Sequence, residues 1–321
     1  MDFLSLAAAN LSTPMVLAFI LGLGAALARA DLSIPEQAAK MMSIYLLFAI
    51  GMKGGVEVAK AGLGPEIIIA LLTGVLLSFA LPLAAFALLR ATTRLSAVDA
   101  AAAAGHYGSI SIVTFVAGTQ ALTNMGVTYS GHMVAVAAAM EAPAIIAALW
   151  LAVRGGGSAG AAPMREILLN GSIVLLCGAL VIGWIAGPVG FDTVSGLFID
   201  PFKGVLCLFL LDMGLLAGRH LRSSASSINR MVFAFGLYMP LVGGAIGAVA
   251  GWIIGLSAGD LALLIILSAS ASYIAAPAAL RVALPEANPG VYLTLSLGLT
   301  FPFNLTLGIP IYIAIAQAFA A

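Results

Sequence analysis

The chain has 321 residues, 62% of them hydrophobic and only 8% Asp, Glu, Lys or Arg, with a formal net charge of zero. An ordinary soluble domain carries about 25% charged residues, so this chain has too few charges to cover a water-exposed surface. A mean hydropathy of +1.15 agrees, and the charge balance gives no argument for a nucleic-acid or acidic partner.

The N-terminal stretch MDFLSLAAAN lacks the basic region of a cleaved signal peptide, so the first apolar segment is expected to be retained. A membrane-spanning helix needs roughly 20 mostly apolar residues. Reading between charged and Pro/Gly-rich breaks predicts ten such segments: 11–28, 41–59, 66–89, 97–121, 128–152, 166–187, 204–218, 230–256, 259–280 and 289–318. Segments 2 and 7 are interrupted by Lys53 and Asp212. The 36 glycines suit helices packed closely in a bilayer. Cys177 and Cys207 lie in apolar runs without metal or redox spacing and are expected to be small core residues.

Basic residues set the expected orientation. Arg29, Lys40, Arg90, Arg94, Arg154, Arg165, Arg219, Arg222, Arg230 and Arg281 follow odd-numbered segments, and only Lys53, Lys60 and Lys203 lie on the other side. That asymmetry predicts a cytoplasmic face for the odd loops and both termini in the periplasm of a bacterial inner membrane. The connection at 154–165, RGGGSAGAAPMR, falls near the midpoint.

The two halves, 1–153 and 166–321, resemble each other at an offset of about 161 residues. Gly51-Met52-Lys53-Gly54-Gly55 answers Gly214-Leu215-Leu216-Ala217-Gly218, Asp99 answers Asp260, and Ser109 and Ser111 answer Ser270 and Ser272. Gly126 corresponds to Gly290 and Pro143 to Pro302. Five segments per half is an odd number, so the second half must enter from the opposite face. The expected fold is therefore all-α and polytopic: ten transmembrane helices in two inverted five-helix repeats, an architecture common among secondary carriers.

Segments 4 and 9 hold the most polar embedded sequences, GHYGSISIVT at 105–114 and SASASYIAAP at 268–277. Counting from Asp99 to Ser109 gives about 15 Å of helix, half of a roughly 30 Å hydrocarbon core. The same count runs from Asp260 to Ser270. Gly105, Gly108 and Pro277 are expected to interrupt these helices near the midplane, where they cross. Broken helices leave N–H groups that attract an anion, although serine and glycine also serve plain helix packing. Glu141 and Asn304 each lie near a proline expected to break its helix, Pro143 or Pro302, and are candidates for sodium or proton coupling. His106 is read as a hydrogen-bonded packing residue, with a proton relay or a substrate contact as the alternatives. Asp212 is read as reaching interfacial water near a helix end, Lys53 as snorkelling, and His132, His220 and the tryptophans as packing or interface residues.

These residues resemble the sodium-dependent bicarbonate transporter family, the cyanobacterial-type symporters. The resemblance is carried by LRVALPEANPGVYL at 280–293, by Ser270 to Pro277, by Gly105, Gly108, Ser111 and Thr114, by the Gly51 and Gly54-Gly55 turn, and by Met140 with Pro143. It implies an elevator-type sodium symporter that assembles as a trimer, with a gate domain from segments 1, 2, 6 and 7 and a core domain from segments 3–5 and 8–10. It implies bicarbonate at Gly108, Ser109, Ser111, Ser270, Ala271 and Ser272, and sodium near Thr114, Glu141, Ser272 and Asn304. His106, Tyr107 and Tyr273 would modulate the site, with Na+ as coupling ion and no other cofactor. Tyr273 and Glu141 each stand where the cyanobacterial proteins carry Asp, and the shortened central loop puts a PII-like regulatory partner in doubt. Other readings are a sodium- or proton-coupled carrier of another small carboxylate, as in bile-acid-type carriers, a passive channel, or an intramembrane hydrolase using Ser109 and His106. The hydrolase lacks a Gly-x-Ser-Gly pattern, and no enzyme activity is expected.

Overall fold

The structure is a computed structural model that describes residues 8, 11–62, 64–155, 171–224, 230–274, 276–277, 279–280 and 284–320. The linker residues 156–165, with Arg165, and Arg281 lie outside the described residues. Among the described residues every regular element is helical, as the apolar composition requires: in lipid each backbone polar group must be satisfied within its own segment or against protein.

Helix α1 (Pro14–Leu27) begins at Thr13, whose hydroxyl accepts the Val16 N–H, with proline in the first turn. Helices α2 (Glu36–Ala61) and α3 (Pro65–Thr92) follow. Segment 4 is two pieces, α4 (Ala97–His106) and α5 (Ile112–Asn124). Segment 5 is α6 (Met133–Ala139) and α7 (Glu141–Arg154), parted by Met140. The second half holds α8 (Gly171–Asp192), the single turn α9 (Ser195–Phe198), α10 (Phe202–Ser224), α11 (Arg230–Ile253) and α12 (Ala258–Ala269). Last come α13 (Pro289–Leu293), α14 (Phe301–Phe303) and α15 (Ile309–Ala320), joined end to end through π-helical turns at Thr294–Thr300 and Asn304–Gly308.

Among the described residues seven helical stretches are long and apolar enough to cross a membrane, matching predicted segments 2, 3, 5, 6, 7, 8 and 10. The helices at segments 1, 4 and 9 are shorter. Together they make a multi-pass membrane protein. Large apolar side chains such as Leu76, Ile185 and Val189 are exposed, as lipid solvation allows.

Several expectations need correction. Asp212 is not near a helix end: it sits in the middle of α10 and is only 3% exposed. Cys177 is exposed rather than core, because its face of α8 looks outward. Pro302 does not break its helix. The chain stays helical through it, and the flanking π turns absorb the missing hydrogen bond. Gly105 does not mark the break in segment 4. It lies inside α4, and a Cβ there would press on Ala148 of α7 at 2.6 Å. Pro277 lies beyond the break in segment 9, where the helix ends at Ala269.

The most extensive packing joins α2 to α8 and α1 to α10. Glycines permit both. A Cβ on Gly51 or Gly55 would strike the backbone of α8, and one on Gly214 or Gly218 would strike α1. These are the two glycine pairs that the sequence aligns. Matching features recur at the starts of α4 and α12. The Ser96 hydroxyl accepts the Asp99 N–H at 3.0 Å and donates to the Asp99 carboxylate at 2.8 Å. Ser257 does the same for Asp260, at 3.3 and 2.9 Å. Each carboxylate then reaches into the opposite half. Asp99 accepts the Asn288 N–H at 2.8 Å, and Asp260 accepts the Ser130 N–H at 2.6 Å and its hydroxyl at 2.8 Å. Asn288 precedes the last helix of its half, and Ser130 precedes the corresponding helix of the first half.

Candidate functional site

Helix α4 ends at His106, and after a turn the chain becomes extended at Ser111, which caps α5: its hydroxyl accepts the Thr114 N–H at 3.2 Å. Helix α12 stops at Ala269, where Ser270 turns extended. Ser272 repeats the role of Ser111, its hydroxyl accepting the Ala276 N–H at 3.2 Å.

The two breaks touch. The Ser272 N–H donates to His106 O at 2.8 Å and to Ser109 O at 2.9 Å. The Ser111 N–H donates to the Ser270 hydroxyl at 2.9 Å. Carbonyls released at one break are thus met by donors from the other, and no water is needed to satisfy them. His106, Ser109, Ser111, Ser270, Ala271 and Ser272 are all buried.

Hydroxyl bookkeeping separates the serines. Ser270 is committed: it accepts from Ser111 N–H and donates to Leu267 O at 2.8 Å. The Ser111 oxygen accepts from both the amide and the hydroxyl of Thr114, the latter at 2.9 Å, which leaves its proton to give. Ser272 likewise accepts one bond and keeps its proton. The Ser109 hydroxyl is buried and has no partner among the described residues. Gly108 faces away from this cluster. A Cβ there would overlap Pro82 and the Ser78 carbonyl of α3, so its backbone packs closely on that helix.

The remaining predicted residues fall into three positions. His106 approaches Ser272 O through Nδ1 and stacks on Tyr292 at 4.7 Å between ring centroids, while its Nε2 is buried without a partner. The Tyr107 hydroxyl meets Thr300 at 2.8 Å, and that of Tyr273 turns toward Ser111 without a well-formed bond. Asn304 caps α12: its amide donates to Ala269 O at 2.8 Å, and its oxygen accepts from Tyr312 at 2.8 Å. Thr114 is tied to Ser111, so its oxygen faces the crossing. Glu141 opens α7, is 3% exposed, and has an oxygen without a partner. Among the described residues no hydrogen bond joins it to the crossing, and Cys177 of α8 lies within its electrostatic reach.

Ser78 connects Glu141's helix to the crossing, and sequence reading missed it. Pro82 lacks the N–H that would return to the Ser78 carbonyl, and this carbonyl packs on Gly108. The Ser78 hydroxyl donates to Met140 O and accepts the Ala144 N–H at 3.2 Å. Pro240 of α11 stands in the same relation to Gly236, whose carbonyl accepts from Thr300 at 2.7 Å. The matched prolines, Pro82 and Pro240, were a legible signal. A lone serine in an apolar helix was not.

Chemically, the crossing offers hydroxyl protons and the opening N–H groups of α5, which have no partner earlier in their own helix. Such an array suits a small anion. Among the described residues no group of three or more His, Cys, Asp or Glu is placed to hold a metal ion. A sodium ion would draw instead on single oxygens such as Glu141, Thr114 and released carbonyls, the hard donors it prefers.

No curated protein matches the chain. A scan of protein families matches the Na+-dependent bicarbonate transporter superfamily over residues 14–317. That range takes in both breaks, the capping serines and the glycine-packed helix pairs. The chain therefore belongs to the Na+-dependent bicarbonate transporter superfamily, a family of membrane transporters and not of enzymes.

Proposed function

We propose that the protein is a sodium-coupled symporter of bicarbonate that holds the anion where the two helix breaks meet. The observation carrying this reading is that three uncommitted hydroxyl protons, on Ser109, Ser111 and Ser272, lie at the two breaks beside the first turn of α5. Such a site binds negative charge through neutral donors, with no arginine to make release slow. In this reading sodium sits next to the anion, with Thr114, Ser272 and Glu141 as ligands. Asn304 takes part through the acceptor capacity that Tyr312 leaves, and its main task is to hold α12.

The same reading includes ten membrane crossings in two inverted repeats. Its support is the paired Ser96/Asp99 and Ser257/Asp260 caps, the equivalent Pro82 and Pro240, and the equivalence of the α2–α8 and α1–α10 contacts. Helices α1, α2, α8 and α10 then form a gate, against which the remainder slides as an elevator. Trimeric assembly, an inner-membrane setting and periplasmic termini complete the proposal, the last supported by the ten-to-three division of basic residues.

The test is uptake of labelled bicarbonate into liposomes containing the purified protein, with and without an inward sodium gradient, against labelled acetate and pyruvate. Sodium-stimulated bicarbonate accumulation is expected. Ser111→Ala with Ser272→Ala should abolish it in a protein that still elutes as a single folded species. Uptake indifferent to sodium, or full uptake by that double variant, defeats the proposal.

A further inference from the structure

A cavity of about 330 Å³ lies between α2, α5 and the start of α10, apart from the crossing. Its charged lining residues are Lys53, Glu57 and Lys203, with Thr119, Gln120, Thr123 and Tyr129 as the neutral polar ones. A wider opening of about 620 Å³ shares Lys53 and Glu57 with it and adds Lys60 and Asp192. The inner cavity is therefore continuous with the outer face on which these charges lie.

Its charges are not balanced. Glu57 is taken up by Lys60 at 2.7 Å, and Asp192 lines only the outer opening. Among the described residues neither Lys53 nor Lys203 has an ion pair. The Lys53 ammonium rests 4.5 Å from the centroid of the Phe202 ring and is close enough to Lys203 for the two charges to repel. The Phe202 ring face attracts the Lys53 ammonium, but a second like charge lining the same cavity raises the energy of the empty state. A negative guest between them lowers it, and the Gln120 amide, which spends one N–H on Asn124 at 2.9 Å, keeps a second to give, whereas the Thr119 hydroxyl is already given to Val116 O at 2.8 Å.

The cavity also leads toward the crossing. Below it, Leu46 and Leu47 of α2 meet Val113 and Val116 of α5, with Leu206 and Phe209 of α10 alongside. The void they leave is about 10 Å³, at the bottom of the range that holds even a single water. On both α2 and α5 the residue numbers fall from cavity to seal, and α5 begins at Ser111. From Lys53 to Leu46 is about 10 Å of helix, and from Gln120 to Ser111 about 14 Å. One apolar seal separates the two places.

We propose that Lys53 and Lys203 form a docking vestibule for a small monovalent oxyanion, one gate short of the crossing. The proposal rests on the transport reading above. The vestibule concentrates the anion where diffusion delivers it, and the crossing receives it when the seal parts. Both lysines lie on the helices assigned to the gate, whereas Thr119 and Gln120 ride on α5. The vestibule is therefore complete only in the arrangement described here.

Acetylation of lysines by a water-soluble active ester, read peptide by peptide by mass spectrometry on the whole protein in neutral detergent, tests binding without transport. Bicarbonate, compared with gluconate at equal ionic strength, should slow modification of Lys53 and Lys203 at least threefold and Lys60 far less. Lys53→Gln should remove the protection of Lys203. Equal rates for all three lysines, or protection by added phosphatidylglycerol but by neither bicarbonate nor acetate, overturns the vestibule, the latter by assigning the lysines to a lipid phosphate. Protection by acetate alone keeps the vestibule and overturns the bicarbonate reading. In liposomes, Lys53→Gln with Lys203→Gln should raise KM severalfold more than it lowers kcat, and the paired arginine variants should restore KM. An unchanged KM in the folded glutamine variant also overturns the proposal.

Discussion

Ser109 and Ser270 stand 161 residues apart, at matching positions after Asp99 and Asp260, yet do opposite things. Ser270 spends both hydrogen-bonding capacities inside the protein, whereas Ser109 is buried with none used. An unsatisfied buried hydroxyl costs roughly 1–3 kcal/mol, and a bound anion removes that cost. Ser109→Ala should therefore stabilise the empty protein or leave it neutral, while weakening bicarbonate uptake about tenfold or more. Thermal unfolding without substrate and initial uptake rates measure the two effects. Ser270→Ala should behave in reverse, lowering the unfolding temperature because the Ser111 N–H loses its acceptor. Gly108 belongs with the structural residues. Gly108→Ala would drive a methyl into Pro82 and the Ser78 carbonyl, and a destabilisation of about 1–3 kcal/mol is expected from such overpacking.

At the scale of the element, each half-helix is defined by what stops it. Asp260 is 5% exposed and accepts bonds from Ser130 twice and from the Ser257 hydroxyl. Asp99 is partly exposed and holds Asn288 through one. With bonds to charged groups worth roughly 1.5–3 kcal/mol each when sheltered and much less at the surface, Asp260→Ala should lower the unfolding temperature by several degrees more than Asp99→Ala. Equal losses would mean that these carboxylates act only as local caps, each worth about 1 kcal/mol, and do not tie the halves together. The Ser-x-x-Asp pattern at 96–99 and 257–260 was readable in advance as a start signal for two helices. Its second use, reaching into the other half, was not, because the partners lie 189 and 130 residues away in sequence.

For the whole molecule, the elevator reading makes a geometric demand: α5 must move relative to α2 and α10. Leu47 and Val113 line the same small void across that boundary. In a background with Cys177 and Cys207 changed to alanine, Leu47→Cys with Val113→Cys should lose uptake on bridging by mercuric ion and regain it with excess thiol. Uptake that persists through complete bridging removes the sliding mechanism. The sequence by itself determined that the chain lives in lipid, where its helices start, and that segments 4 and 9 carry polar interruptions, because hydropathy, capping and helix-breaking are local properties. It also revealed the glycine pairs Gly51/Gly55 and Gly214/Gly218, without saying what they pack against. Tertiary structure alone decided that Ser111 and Ser270 meet, that Gly105 serves a helix contact and Asn304 a helix end, and that Asp212 lies buried in mid-helix. Those outcomes depend on which backbone comes within a few ångströms of which side chain, and on how many of its hydrogen bonds that neighbour takes up.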